Sequence, residues 1–165
     1  MSAGAGGVLV VGVGNDDRGD DGVGPRTARL LAEAWSADPP PGVRVVAWTG
    51  DPMGLMDLWA GAARLVLIDA VVSGARPGTC RRYRGDAPFR ADAGASTHGF
   101  GLAEVLALAR ALGTAPATVE VWGIEGDAFG AGAGMTPAVA EAVQALAERL
   151  RSELEEAAAT APSAA

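Results

Sequence analysis

Three side chains that could hold a metal stand near the ends of apolar segments. Asp21 lies shortly after the apolar run at 8–13, Asp69 directly follows the run at 65–68, and His98 is the chain's one histidine. Carboxylate oxygens and a neutral imidazole nitrogen are ligands that divalent transition metals accept. The chain has one cysteine and no lysine, so few other groups could do chemistry. The sequence therefore predicts a divalent metal site with two oxygen donors and one nitrogen donor.

The elements that must position these groups alternate between strand and helix. Continuous apolar runs predict buried strands, whereas a stripe of apolar residues at helical spacing predicts a packed helix. These patterns predict strands at 8–11, 43–48, 65–68 and 119–124, an edge strand within 78–84, and helices at 24–35, 53–59, after 102 and after 137. The predicted fold class is α/β, a three-layer single domain with a largely parallel sheet flanked by helices on both faces.

The order of these elements places the acidic residues at one edge of the sheet. Ligands of open parallel sheets bind beyond the carboxyl ends of the strands. If the first and third strands are parallel, Asp21 and Asp69 converge on that edge. His98 precedes a helix, so it can reach the same edge from an irregular segment at 85–97.

Length and composition limit the classes of protein that fit. At 165 residues the chain can bury about two-thirds of its unfolded surface without disulfide bonds. We predict one domain over 1–154 and a frayed or disordered tail over 155–165. A formal net charge of −7 disfavours nucleic acid as a partner, and one cysteine excludes an internal disulfide. The apolar run at 8–13 is too short for a signal or membrane segment, so we expect a cytoplasmic protein with no membrane partner.

A glycine-rich loop after the first strand invites comparison with dinucleotide-binding sites. In that fingerprint a third glycine would stand at Asp17, and the loop also carries Asp16, Asp20 and Asp21. Four carboxylates repel a pyrophosphate group, so the sequence predicts no organic cofactor here.

Each candidate ligand also has an ordinary structural interpretation. Asp20 or Asp21 could cap the helix that begins near Gly24, and Asp69 could close an Asx turn. A single histidine is more often a surface or core residue than a ligand. The residues taken one by one leave these roles open.

Taken together, several motifs resemble a known family. The segment at 12–24 is similar to the N-terminal signature of the maturation endopeptidases of nickel-iron hydrogenases. Further similarity lies at 67–74 with 77–79, at 96–102, and near the end at 123–125 and 134–137, in the order that the family has. The resemblance extends from about Val8 to Leu150, and the combination is more specific than any one motif.

The resemblance implies a twisted sheet between helices and a nickel contact made by Asp21, Asp69 and His98. Family members carry Glu or Asp at the position of Asp21. The implied activity is removal of a C-terminal extension from the hydrogenase large-subunit precursor after nickel insertion. The implied partner is that precursor, which presents the nickel. The segment at 48–52 departs from an Asp-Gly-Gly-Thr loop of some members, so no substrate contact is carried over to it.

Two other functions use the same three ligands. One is a metal-binding maturation chaperone without peptidase activity, which would bind the precursor without cutting it. The other is a metallopeptidase that holds its own metal at rest and cuts generic peptides. The sequence carries no signal for an oligomeric state.

Overall fold

The computed structural model describes residues 6–84 and 101–161, and over these residues it confirms the predicted three-layer α/β fold. Two short 3-10 turns, Gly19–Gly22 and Pro52–Gly54, accompany the regular elements. The strands and helices are β1 Val8–Val13, α1 Val23–Ala34, β2 Val43–Trp48, α2 Leu55–Leu58, β3 Arg64–Val71, β4 Cys80–Arg84, α3 Leu102–Ala111, β5 Thr118–Glu125 and α4 Pro137–Thr160.

The strands of the described residues form one sheet in the order β2-β1-β3-β5-β4. The pairs β1–β2, β1–β3 and β3–β5 are parallel, whereas β4 runs antiparallel to β5 at the edge. The prediction of an edge strand within 78–84 is therefore confirmed. All four parallel strands direct their carboxyl ends to the same edge of the sheet, which we call the C-terminal rim.

Alternate residues of the strands fill two separate cores, one on each face of the sheet. On one face Leu9, Val11 and Leu67 pack against α2 and α3. On the other face Val10 and Ile68 pack against α1 and α4. Since both faces are covered by helices, the central strands read as continuous apolar runs rather than as alternating ones.

The last helix is longer than the sequence indicated. It continues to Thr160, into the segment 155–165 for which the sequence predicted a frayed or disordered tail. Leu154 is buried against the α1–α4 core, and the indole Nε1 of Trp35 donates to Oε1 of Glu155 at 2.9 Å. These contacts with the end of α1 stabilise the last turns of α4, where the sequence itself has few apolar residues to bury. Among the described helices, none is both long and apolar enough to cross a membrane.

Candidate functional site

The C-terminal rim contains the point where the chain's course across the sheet reverses. After β1 the chain passes to β2 on one side, and β3 returns to the other side of β1. β1 and β3 are parallel, with Gly12 opposite Ile68, so the residues that follow Gly12 and Ile68 meet at this point. Such switch points are the usual ligand sites of open α/β sheets.

Two glycines allow α1 to begin directly against the end of β1. A Cβ atom at Gly12 would overlap the carbonyl oxygen of Gly24. A Cβ atom at Gly24 would in turn overlap backbone oxygens of Val13 and Ile68. The backbone can approach this closely only where neither residue has a side chain. The close approach fixes the 3-10 turn that carries Asp20 and Asp21 at the rim.

Asp21 is half-buried and points back along the loop after β1. The backbone N–H of Asn15 donates both to Oδ2 of Asp21, at 3.1 Å, and to its carbonyl oxygen, at 3.2 Å. The side chain of Asn15 accepts in turn from the N–H of Asp17 at 2.9 Å. The loop after β1 thus supplies a backbone donor to the Asp21 carboxylate.

Asp69 lies within β3, directly after the four buried residues at 65–68, and is only partly exposed. Its Oδ1 accepts from the N–H of Ala70 at 2.8 Å. Desolvation, together with the negative charge of Asp21, raises the pKa of Asp69 from its usual value to about 8, although the bond from Ala70 opposes the rise. The structure therefore brings Asp21 and Asp69 close enough for their charges to interact.

His98 and the irregular segment predicted at 85–97 lie outside the described residues. The described chain resumes at Gly101, directly before α3. The three-ligand site therefore stays a prediction, of which the structure describes two members.

The structure also decides two of the ordinary interpretations. Gly22 occupies the N-cap position of α1, and no side chain caps that helix, so neither Asp20 nor Asp21 has the capping role. The oxygen of Asp69 accepts from the next residue, Ala70, rather than from the residue two positions on, as an Asx turn requires.

Asp20 is a residue of this site whose role sequence reasoning missed. Its side chain is fully buried and accepts from the backbone N–H groups of Asp127 (2.9 Å), Ala128 (3.0 Å) and Thr136 (2.8 Å). The hydroxyl of Thr136 donates to it as well, at 3.0 Å. Burial by itself raises the pKa of Asp20, but these hydrogen bonds together lower it below the usual value. Asp20 is therefore a structural carboxylate held in its charged form.

Thr136 stands at the N-cap of α4, as the sequence predicted, but with a different role. Its side chain makes no capping bond to α4. The hydroxyl reaches Asp20 instead. The bond connects the start of α4 with the first motif, across more than a hundred residues of sequence.

A second buried carboxylate, Glu125, ties down the loop that follows β3. It accepts from the N–H and the hydroxyl of Ser73, at 2.8 and 2.7 Å, and from the N–H of Gly74 at 3.0 Å. Both partners belong to motifs that were recognised in the sequence, but motif order gave no sign that they touch. Glu125 thus joins the loop after β3 to the end of β5. Asp20 joins the turn before α1 to the segment between β5 and α4.

The geometry agrees with what comparison with known proteins finds. The sequence profile of the HycI hydrogenase maturation protease family matches residues 26–153. The chain belongs to the hydrogenase maturation protease family. The profile match leaves out the first motif, so the position of Asp21 at the rim is an observation independent of that match.

Curated relatives of this maturation protease carry names from the same process. It is 33% identical over 153 residues to "Hydrogenase expression/formation protein HupM" of Azotobacter chroococcum mcd 1, covering 86% of this chain and 72% of the relative. It is 31% identical over 150 residues to HupD of Rhodobacter capsulatus, covering 87% of this chain and 70% of the relative.

Solved structures of maturation proteases share the fold over nearly the whole chain. The hydrogenase maturating endopeptidase HybD from E. coli superposes with a TM-score of 0.73 at 26% identity, covering 92% of this chain and 93% of HybD. The [NiFe] hydrogenase maturation protease HybD from Thermococcus kodakarensis gives 0.70 at 27% identity, covering 90% and 99%. The chain is thus a peptidase of this family.

Proposed function

We propose that this peptidase removes the C-terminal extension of a nickel-iron hydrogenase large-subunit precursor after nickel insertion, with the precursor's nickel as the recognition element. The observation that supports this most is the pair Asp21 and Asp69 at the switch point of the sheet. Two neighbouring carboxylates repel each other unless a proton or a cation lies between them. A divalent metal presented by a partner relieves that repulsion.

In the proposed complex Asp21, Asp69 and His98 each contribute one donor to nickel. Two carboxylate oxygens and an imidazole nitrogen are donors that nickel accepts. Three protein ligands leave coordination positions open, and donors of the precursor complete the shell. The proposed site therefore binds a metal that the precursor already holds more readily than a free ion.

The chain's own residues prepare this contact. Because the pKa of Asp69 is about 8, its carboxyl carries a proton near neutral pH and must release that proton when the metal binds. Asp21 is held by the N–H of Asn15, so little reorganisation accompanies binding. Nickel held by Asp21, Asp69 and His98 would supply a Lewis acid or an anchor for the precursor.

Co-expression with candidate large subunits tests the proposal. We expect the intact mass of the cognate large subunit to fall by the mass of a C-terminal segment when the wild-type protein is present. An Asp21→Asn variant should leave the precursor at full length, because the amide replaces a charged donor by a neutral one. A maturation chaperone without peptidase activity would bind the precursor and leave its mass unchanged, and that result would refute the proposal.

Metal analysis separates the proposal from a metallopeptidase that holds its own metal. A resident metal would purify with the protein in a stoichiometric amount and support cleavage of generic peptides. The proposal predicts substoichiometric nickel in the purified protein and no cleavage of peptides that lack the nickel centre.

A further inference from the structure

Asp20 precedes Asp21, the residue that the proposed function uses, and is held by several hydrogen bonds. Its side chain has 0% exposure, and both carboxylate oxygens are engaged. Oδ1 accepts from the N–H of Thr136, whereas Oδ2 accepts from the N–H groups of Asp127 and Ala128. Its own N–H donates to the carbonyl oxygen of Ala128 at 2.8 Å. Main chain and side chain thus bind Asp20 to the loop between β5 and α4.

That loop is itself anchored to the sheet. The N–H of Gly126 donates to the carbonyl oxygen of Val71 at 3.0 Å, which joins the start of the loop to the end of β3. The N–H of Gly132 donates to the carbonyl oxygen of Asp17 at 2.7 Å, which joins its far part to the first motif. Gly126 packs closely against Asp20 and Phe129, since a Cβ added there would lie 2.5 Å from the ring of Phe129 and 3.1 Å from the Cβ of Asp20.

Asp20 and Asp21 are consecutive residues of the 3-10 turn Gly19–Gly22. In so short a turn, the position of one residue fixes the direction in which the next side chain leaves the backbone. Asp21 then makes its bond with the N–H of Asn15. A shift of Asp20 would therefore rotate the Asp21 carboxylate away from Asn15 and from Asp69.

From this arrangement we infer that Asp20 is a positioning residue that sets the orientation of the Asp21 carboxylate at the rim. The positioning role itself does not need the proposed function. Only its consequence, that nickel affinity depends on Asp20, rests on that function. Groups that orient a metal ligand without touching the metal typically change metal affinity by about 10- to 100-fold when they are altered.

Asparagine cannot replace Asp20 without loss. Backbone N–H groups approach both oxygens of the carboxylate, so either orientation of an amide turns its NH₂ group toward a donor. At the Oδ1 position the amide NH₂ leaves the N–H of Thr136 without an acceptor, and at the Oδ2 position it leaves those of Asp127 and Ala128 without one. The turn must move to relieve the contact. Thr136→Val is a milder change, because it removes the hydroxyl donor and keeps the three backbone donors.

Glu120→Gln provides a matched control. Glu120 is also a buried carboxylate, accepting from Arg82 at 2.9 Å and from Nε1 of Trp122 at 3.2 Å, and an Arg64 guanidinium lies at 3.3 Å. It lies near the start of β5, away from the C-terminal rim. The control therefore reports general loss of stability without a change at Asp21.

The test measures amide hydrogen exchange of the metal-free protein. We expect Asp20→Asn to accelerate exchange at Asn15 by about tenfold or more relative to Glu120→Gln at matched stability, since the Asn15 N–H donates both to the carboxylate and to the carbonyl oxygen of Asp21, and both acceptors move when the turn shifts. A role confined to tethering the loop would accelerate exchange at Asp127, Ala128 and Thr136 alone. Unchanged exchange at Asn15 in both Asp20→Asn and Thr136→Val would overturn the inference.

Nickel titration of the same variants connects the inference with the site. Wild type and Glu120→Gln should bind Ni²⁺ alike, and Asp20→Asn should bind it about tenfold or more weakly. Faster exchange at Asn15 with no binding of free Ni²⁺ in any variant would support the positioning role, and the nickel contact of the proposed function would then be decided by cleavage of the nickel-loaded precursor. If the wild type binds Ni²⁺ and Asp20→Asn binds it with the same affinity, that result would count against the positioning role.

Discussion

Asp21 and Asp69, which are distant in the sequence, lie at one edge of the sheet, where the charge of Asp21 adds to desolvation in raising the pKa of Asp69 to about 8. The Asp69 carboxyl therefore carries a proton near neutral pH when no metal is present. In the proposed complex, a cation bound between the two carboxylates would replace that proton.

The raised pKa predicts how stability depends on pH. Ionisation of Asp69 is harder in the folded state than in the unfolded chain, so its stabilising contribution is complete below pH about 4. That contribution is lost progressively as the pH rises through about 8. Asp69→Asn should therefore gain stability relative to wild type between pH 5 and pH 9, as measured by urea unfolding at both values. A constant difference between the two proteins would contradict the assigned pKa.

Cleavage of the precursor should depend on the three proposed ligands and not on the other acidic residues of the loop after β1. Asp69→Asn and His98→Ala should lower the rate of precursor cleavage by about 100-fold or more, since each removes one donor from a three-donor site. Asp21→Glu should retain part of the activity, because it keeps the donor type and changes only its reach. The rate is measured by intact mass against time.

Asp17→Asn is the control for this series. Asp17 is an exposed acid of the same motif, whose N–H donates to the Asn15 side chain and whose carbonyl oxygen accepts from the N–H of Gly132. Its variant should process at close to the wild-type rate. Wild-type processing by His98→Ala, with circular dichroism showing a native fold, would remove His98 from the site.

The close approach of α1 to β1 should tolerate no side chain at Gly24. A Cβ there overlaps backbone oxygens of Val13 and Ile68, which cannot move aside as a flexible side chain can. We expect Gly24→Ala to lower the free energy of unfolding by about 2 kcal/mol or more and the melting temperature by roughly 5 °C or more. Gly134→Ala is the control, because open space surrounds that position. Equal melting temperatures for the two variants would show that the backbone relaxes freely.

Much of the fold could be predicted because burial on both faces of the sheet leaves a direct signature in the sequence. The predicted strand at 43–48 has the observed bounds, and the antiparallel edge strand was also identified. The extension of α4 to Thr160 was not predicted, because it involves the burial of Leu154 and the bond between Trp35 and Glu155. Local composition does not reveal contacts between residues so far apart.

The site could be predicted only in part, for a related reason. Parallel strands bring their carboxyl ends to one edge, so the meeting of Asp21 and Asp69 follows from strand order. The contacts of Asp20 depend instead on the path of the glycine-rich loop at 126–134, which hydrophobic periodicity does not determine. Neighbouring acids in one motif thus proved to have different roles, one at the rim and one buried beneath it.

The most direct test of the account compares cleavage of nickel-free and nickel-loaded precursor by the purified protein. Both forms are incubated under identical conditions, and the intact mass of the large subunit is followed over time. The account predicts loss of the C-terminal extension from the nickel-loaded form alone, because the precursor's metal completes the site at Asp21, Asp69 and His98. Equal cleavage of both forms would contradict it and would show that nickel is not the recognition element.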